Sequence, residues 1–359
     1  MKRTFGLCSV LLLTVVTCAS PMSRGQKSSD RIRLTLDPSE AEQVLTLLAL
    51  IHDGKVIGDD QWRQLFVTEP YRRLKEREEA IGKMYGDPSL AFSDDDFKKF
   101  ILSGSLKQKA SELQVTLDRW KKVDLQLSAT RVLQYLPQNA AIKAKVFPVI
   151  KPRPNSFVFE PSTNPAIFLY LDPAQSAAKF ENTVAHELHH IGLASIGPVY
   201  DSRIAGLPER AQEAAVWMGA FGEGLAMLAA AGGPDVDPHA ASSDEDRARW
   251  RRDLDNFDSD LKSVNAFFED TLSGKLSDKQ AVTEKASSFF GVQGPWYTVG
   301  YRMAVIVEKR FGRPALIQTM LDPRQLLKLY NQAAREQNTT GGKQLPLWSD
   351  EMLRQVMAS

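Results

Sequence analysis

The segment Phe180–Ser195, FENTVAHELHHIGLAS, decides how the rest of the chain is read. Phe180, Val184, Leu188 and Ile191 recur every three or four positions, the period of a helix with one apolar stripe, and Gly192 or Gly197 can end it. Inside this helix stands His186-Glu187-Leu188-His189-His190, an HExxH motif. Side chains four apart stack on one face, so the imidazoles of His186 and His190 can hold a single zinc ion. Glu187 lies about a quarter-turn further round, within reach of a water at the metal but not a ligand itself. His189 falls on the other side of that arc and is assigned to support or packing.

A catalytic zinc site typically uses three protein ligands and keeps one position open. No cysteine is near the motif, since the chain has only 2, Cys8 and Cys18. The histidines outside the cluster, His52 and His239, read as lone surface residues. A carboxylate is therefore the natural third ligand, and the leading candidate is Glu223 in Phe221-Gly222-Glu223-Gly224-Leu225-Ala226. Its flanking glycines would let backbone and metal approach closely. The surrounding helix is Ala-rich, and a carboxylate isolated among apolar side chains is costly unless it meets a cation. Glu213 is the rival ligand, with Glu209 and Asp201 behind it.

Working outward, residues 145–150, 156–160 and 166–171 are short runs rich in Val, Ile, Phe and Tyr, separated by prolines, and read as strands. Pro148 inside the first of them predicts an edge strand. Helical periodicity covers most of the remainder: from Asp37 to a stop at Gly54, over 60–81 and 94–135, over 208–231 with a break at Gly222 or Gly224, through the charged stretch 243–273, and over 297–311. The expected fold class is thus α+β, mostly α, with a small β-sheet next to the HExxH helix.

Of the 359 residues 43% are hydrophobic and 25% charged, which fits a soluble globular protein and excludes a fibrous or largely disordered one. Lys+Arg number 45 against 44 Asp+Glu, so the basic excess of a nucleic-acid binder is missing and no such partner is expected. Lys2 and Arg3, the apolar run Phe5–Val16 and the small residues Thr17-Cys18-Ala19-Ser20 read as an export signal over 1–20. Val15-Val16-Thr17-Cys18 loosely resembles a lipobox, which leaves a lipid anchor on Cys18 open. Both cysteines belong to that segment, so no disulfide is expected and the exported body must be held by its core.

HELHH followed by GEGLA resembles the gluzincin group of zinc metallopeptidases, in which a glutamate on a second helix completes the site. The Glu-Gly-Leu-Ala piece is similar to the third-ligand segment of the M1-family aminopeptidases. Over residues 140–335, including Gly294–Ala304 (GPWYTVGYRMA), the whole arrangement resembles an uncharacterised bacterial family of zinc-dependent peptidases. The resemblance implies a zincin-like catalytic core at 141–240. A flexible leader (21–36) and a helical region (37–140) precede this core, and a helical C-terminal region (241–359) completes the cleft. It implies Zn2+ on His186, His190 and Glu223, with Glu187 as general base. A tyrosine that hydrogen-bonds the oxyanion is also implied; Tyr297 and Tyr301 lie one turn apart, and Tyr297, at the helix start, is favoured. Arg302 is the residue that could meet a substrate carboxylate, although an exposed arginine is the plainer reading. The strand leading into the metal helix, 166–171, is the one expected to pair with an extended substrate. The implied activity is that of an exported zinc metallopeptidase acting on peptides or proteins, in the periplasm, outside the cell or anchored to the envelope. Two alternatives stand beside it: a metal-binding scaffold that does not cut, and a zinc hydrolase of a non-peptide amide or ester. Oligomeric state is left open.

Overall fold

Four strands make one mixed sheet in the order β1-β2-β4-β3: β1 Ile32–Leu36, β2 Ile142–Val149, β3 Phe157–Phe159 and β4 Ala166–Tyr170. Everything else regular in this computed structural model is helical, which gives the α+β, mostly α class. The structure describes residues 28–341 and 344–358. Residues 1–20, read above as an export signal and holding Cys8 and Cys18, lie outside the described residues.

The chain divides into two compact units that interleave in sequence. One, the sheet unit, comprises Arg33–Gln126 and Lys143–Val184. The other, the helical unit, comprises the described residues up to Ile32, Leu127–Ile142 and Ala185 onward.

In the sheet unit, β2 runs parallel to β4 with Phe147 opposite Phe168, and β3 runs antiparallel to β4 with Phe157 opposite the same residue. Leu74, Phe147, Val149, Phe157, Ala166 and Phe168 form one buried cluster. Three expectations are corrected here. Residues 32–36, read as part of a flexible leader, form strand β1, because alternate side chains are half-buried and the Asp37 N–H donates to the Val146 carbonyl at 2.9 Å. Strand β2 is interior despite Pro148. The ring replaces an N–H on the side that faces β1, beyond the point where the pairing with β1 has ended at Val146. Two residues on, the Ile150 N–H donates to the buried carboxylate of Glu40 at 2.9 Å instead of to a strand. Strand β4 is also interior, flanked by β2 and, over Ala166–Phe168, by β3, so the backbone groups of those residues are already paired and do not accept an extended substrate.

In the helical unit the dominant contact is between two helices, Gly222–Ala231 (the glutamate helix) and Pro295–Phe311 (the tyrosine helix). Phe221, at the start of the first, packs edge-on against Trp296, in the first turn of the second, at 5.1 Å, and against Trp348 at 5.7 Å. All three are almost fully buried. The Ala-rich stretch breaks earlier than its glycines suggest. Glu209–Met218 ends in a tight turn, Gly219–Phe221, and the glutamate helix starts at Gly222.

Candidate metal centre

The motif helix spans Ala177–Ala194, and its second half, from Ala185, belongs to the helical unit. It does not stop at Gly192. A Cβ there would lie 2.2 Å from Leu136 Cδ1, so this glycine makes room for a neighbouring side chain and the helix continues one more half-turn. One face presents His186 and His190, whose Nε2 atoms are 3.0 Å apart with the rings 76° to each other. Glu223, from the glutamate helix, brings Oε2 to 3.1 Å from His186 Nε2 and 3.2 Å from His190 Nε2. These three residues are the one group of metal-ligating side chains that converge among the described residues. Glu213, Glu209 and Asp201 are not part of it.

The triangle has the size a zinc ion requires. Bonds of 2.0–2.2 Å at tetrahedral angles place ligand atoms about 3.3 Å apart, close to the three separations here. The chemistry of the donors agrees. Two imidazole nitrogens facing each other beside a carboxylate form an electron-rich set that suits a cation, since in the absence of one only an imidazole N–H can stand between the acceptors. Without a metal an imidazole proton serves instead. Burial disfavours charge on His190, but the Glu223 carboxylate outweighs it and lifts the imidazole to about 9. Glu223 shows the reciprocal behaviour. Burial alone would raise it, and the two histidines instead hold it well below the usual carboxylate range. The side chains are 15% (His186), 24% (His190) and 16% (Glu223) exposed, so the ligand atoms are shielded yet reachable.

Glu187 follows His186 on the helix and is half-buried. Burial raises its carboxyl above the ordinary value, Glu223 adds to this, and His186 and His190 draw it back. A carboxylate whose proton affinity is raised toward neutrality is suited to take and return a proton. His189 is fully buried and falls on the side of the His186–His190 arc away from Glu187, as the helix geometry predicts. Burial and the neighbouring imidazoles of His190 and His186 keep the ring neutral, with its pKa well below the usual histidine value, against a hydrogen bond to the Tyr135 backbone.

Of the two tyrosines, the structure brings Tyr297 to the triad. Its ring lies nearly parallel to that of His186, 14° between planes and 6.2 Å between centroids. The Tyr301 ring packs on Trp250 at 5.4 Å, and its hydroxyl points to the Val236 carbonyl at 3.5 Å. Arg302 lies over the ring of Phe257 at 5.6 Å. His52, at the end of its helix, is exposed as expected. His239 is not: it is 1% exposed and hydrogen-bonded on both ring nitrogens.

The glycines beside Glu223 have a different role from the one the sequence suggests. A Cβ on Gly224 would fall 2.0 Å from the Tyr301 backbone nitrogen and 2.3 Å from the Gly300 carbonyl carbon. A Cβ on Gly300 would fall 2.7 Å from the Phe221 carbonyl oxygen. The two helices therefore touch backbone to backbone, each through a glycine, and this contact sets where Glu223 and Tyr297 stand. Only the pairing of GEG with VGY across the fold explains them, and sequence spacing contains no such signal.

Comparison with known proteins adds one match. Residues 62–339 match the family described as "Putative zinc dependent peptidase (DUF5700)". No curated protein and no solved structure matches the chain.

Proposed function

The chain belongs to that zinc-dependent peptidase family, and on this premise we propose that it is an exported metallopeptidase of the gluzincin type, with a zincin-like core. The observation that carries the reading is the triangle of His186 Nε2, His190 Nε2 and Glu223 Oε2, with Glu187 next to it on the same helix. Zinc in that triangle supplies a Lewis acid that lowers the pKa of a water and polarises the scissile carbonyl. Glu187 accepts the proton of the attacking water and returns it to the leaving amine as the peptide bond breaks. The Tyr297 hydroxyl donates to the carbonyl oxygen as negative charge develops on it.

The substrate is a peptide or protein, met outside the cytoplasm after export directed by residues 1–20. Lipidation at Cys18 would hold the enzyme at the envelope, and Cys18→Ser would then release it into the soluble fraction.

The decisive experiment pairs metal analysis with hydrolysis of a broad set of internally quenched peptides. Wild type should carry about one zinc per chain. Glu187→Gln should keep that zinc and lose hydrolysis by a factor of about 10²–10⁴, whereas His186→Ala should lose both. Zinc binding with hydrolysis unchanged in Glu187→Gln would sink the peptidase mechanism and leave a metal-binding scaffold.

A further inference from the structure

Two non-glycine residues among those described have a positive φ, Glu160 and Gln293. Gln293, at φ 68°, stands directly before Gly294 and the tyrosine helix. A left-handed backbone at a residue with a side chain is strained and persists only where its surroundings impose it. What imposes it is visible. The Gln293 side-chain amide donates from Nε2 to Nε2 of His239 at 3.1 Å. With that nitrogen accepting, Nδ1 of His239 donates to Ser242 Oγ, also at 3.1 Å. The imidazole stacks obliquely on Trp250 at 5.0 Å, and the His239 backbone N–H donates to Asp237 Oδ1 at 2.8 Å. His239, Ser242 and Trp250 are all buried. The ring is thus a rigid post, held on one nitrogen, one face and its own backbone, with its last nitrogen spent on Gln293.

The consequence lies four residues further on. Gly294 accepts at its carbonyl from the N–H groups of Tyr297 and Thr298, at 2.9 and 3.1 Å, so the turn that Gln293 enters is the first turn of the tyrosine helix. Gly294 is itself tied to the preceding turn, its N–H donating to the Phe290 carbonyl at 2.6 Å, and it packs so closely there that a Cβ would lie 2.6 Å from the Phe289 carbonyl oxygen. We infer that His239 is a positioning residue: through its hydrogen bond to Gln293 it fixes the start of the tyrosine helix and so holds Tyr297 against His186. The inference rests on the role given to Tyr297 above, and it needs no contact between His239 and substrate or metal.

The test uses the full chain labelled with 3-fluorotyrosine, where the Tyr297 resonance is assigned by its loss in Tyr297→Phe. Two variants break the link. His239→Ala removes the post, and Gln293→Asn keeps a residue that tolerates the left-handed backbone while withdrawing the amide by one methylene. Both should shift or broaden the Tyr297 resonance and leave that of Tyr71, in the sheet unit, in place. Zinc content should stay near wild type. With the best-cleaved quenched peptide as reporter, both should lower kcat about tenfold with KM little changed. In the Tyr297→Phe background either variant should cost less than twofold more, because a residue that acts only through Tyr297 has nothing left to position. Equal losses in both backgrounds, or an unmoved Tyr297 resonance in Gln293→Asn, would overturn the inference. If Tyr297→Phe itself leaves hydrolysis unchanged, the catalytic role of Tyr297 fails, while the fluorine spectrum still decides whether His239 positions it.

Discussion

At the level of single residues the candidate site rests on three converging side-chain atoms, those of His186, His190 and Glu223, and on the neighbouring carboxyl of Glu187. HExxH spacing made His186, Glu187 and His190 legible, because a helix converts sequence separation into direction with no help from the rest of the fold. Glu223 was legible as a type, an acid stranded among alanines, but its choice over Glu213 was not, since both sit on the same apolar stretch. Distance makes the choice, and it gives a sharp expectation. Glu223→Ala should abolish stoichiometric zinc binding, measured by metal analysis after dialysis, while Glu213→Ala should bind zinc as wild type does. Loss of zinc from Glu213→Ala with retention in Glu223→Ala would reverse the assignment. His239 shows the opposite limit. A lone histidine gives no pattern in the sequence, and its partners Ser242, Trp250 and Gln293 become neighbours only on folding.

At the level of elements, the contact between the glutamate and tyrosine helices carries the geometry. Helix axes come this close only where both partners lack a Cβ at the crossing, and Gly224 and Gly300 supply that gap. The two glycines flanking Glu223 are therefore not equivalent. Gly224→Ala must push the helices apart or distort them, with a stability loss of about 1–3 kcal/mol or more in chemical denaturation, and it should impair zinc binding by displacing Glu223. Gly222→Ala meets nothing closer than Leu193 Cδ1 at 3.6 Å and should fold and bind zinc much as wild type does. Equal behaviour of the two variants would rule out the crossing as the reason for Gly224. The strands teach a related lesson. Pro148 reads as an edge signal because a proline leaves one backbone acceptor without its N–H. The signal fails because β1 is too short to reach it and the Glu40 carboxylate takes over the next donor on that side.

At the level of the whole molecule, two expectations follow from buried charge and from linkage. Glu40 is fully buried, and burial pushes its carboxyl up to about 8, with the Ile150 N–H and Lys151 only partly opposing this. Between its ordinary value of 4.5 and about 8 the folded protein keeps a proton that the unfolded chain has released. This group's contribution to stability is therefore full below the lower value and is lost as the pH rises through the upper one. Glu40→Gln cannot ionise. Relative to wild type it should gain stability with rising pH across that window, by up to about 1.4 kcal/mol per unit, read by urea denaturation at several pH values. Lys151, pushed down to about 7 by burial with the Glu40 charge partly opposing this, works in the other direction above that pH, so the comparison is read below about 7. A flat difference between the two would show that Glu40 is ionised in the folded state. Metal gives the second expectation. All three candidate ligands belong to the helical unit, and a metal that binds only the folded form stabilises it, by about 2.7 kcal/mol at a hundredfold excess over Kd. Chelation should lower Tm, added zinc should restore it, and His190→Ala should respond to neither.

The sequence by itself determined the helix that carries the motif, the residue types that can hold a zinc ion and the mostly helical α+β class. Each of these follows from a periodicity or a chemical preference that acts within a few residues. Only the tertiary structure decided which acid completes the triangle, which tyrosine stands beside it, why Gly224 and Gly300 are glycines and which strands lie inside the sheet. Those depend on contacts between segments far apart in the chain, where van der Waals contact and hydrogen-bond satisfaction act at full strength and sequence spacing carries no information.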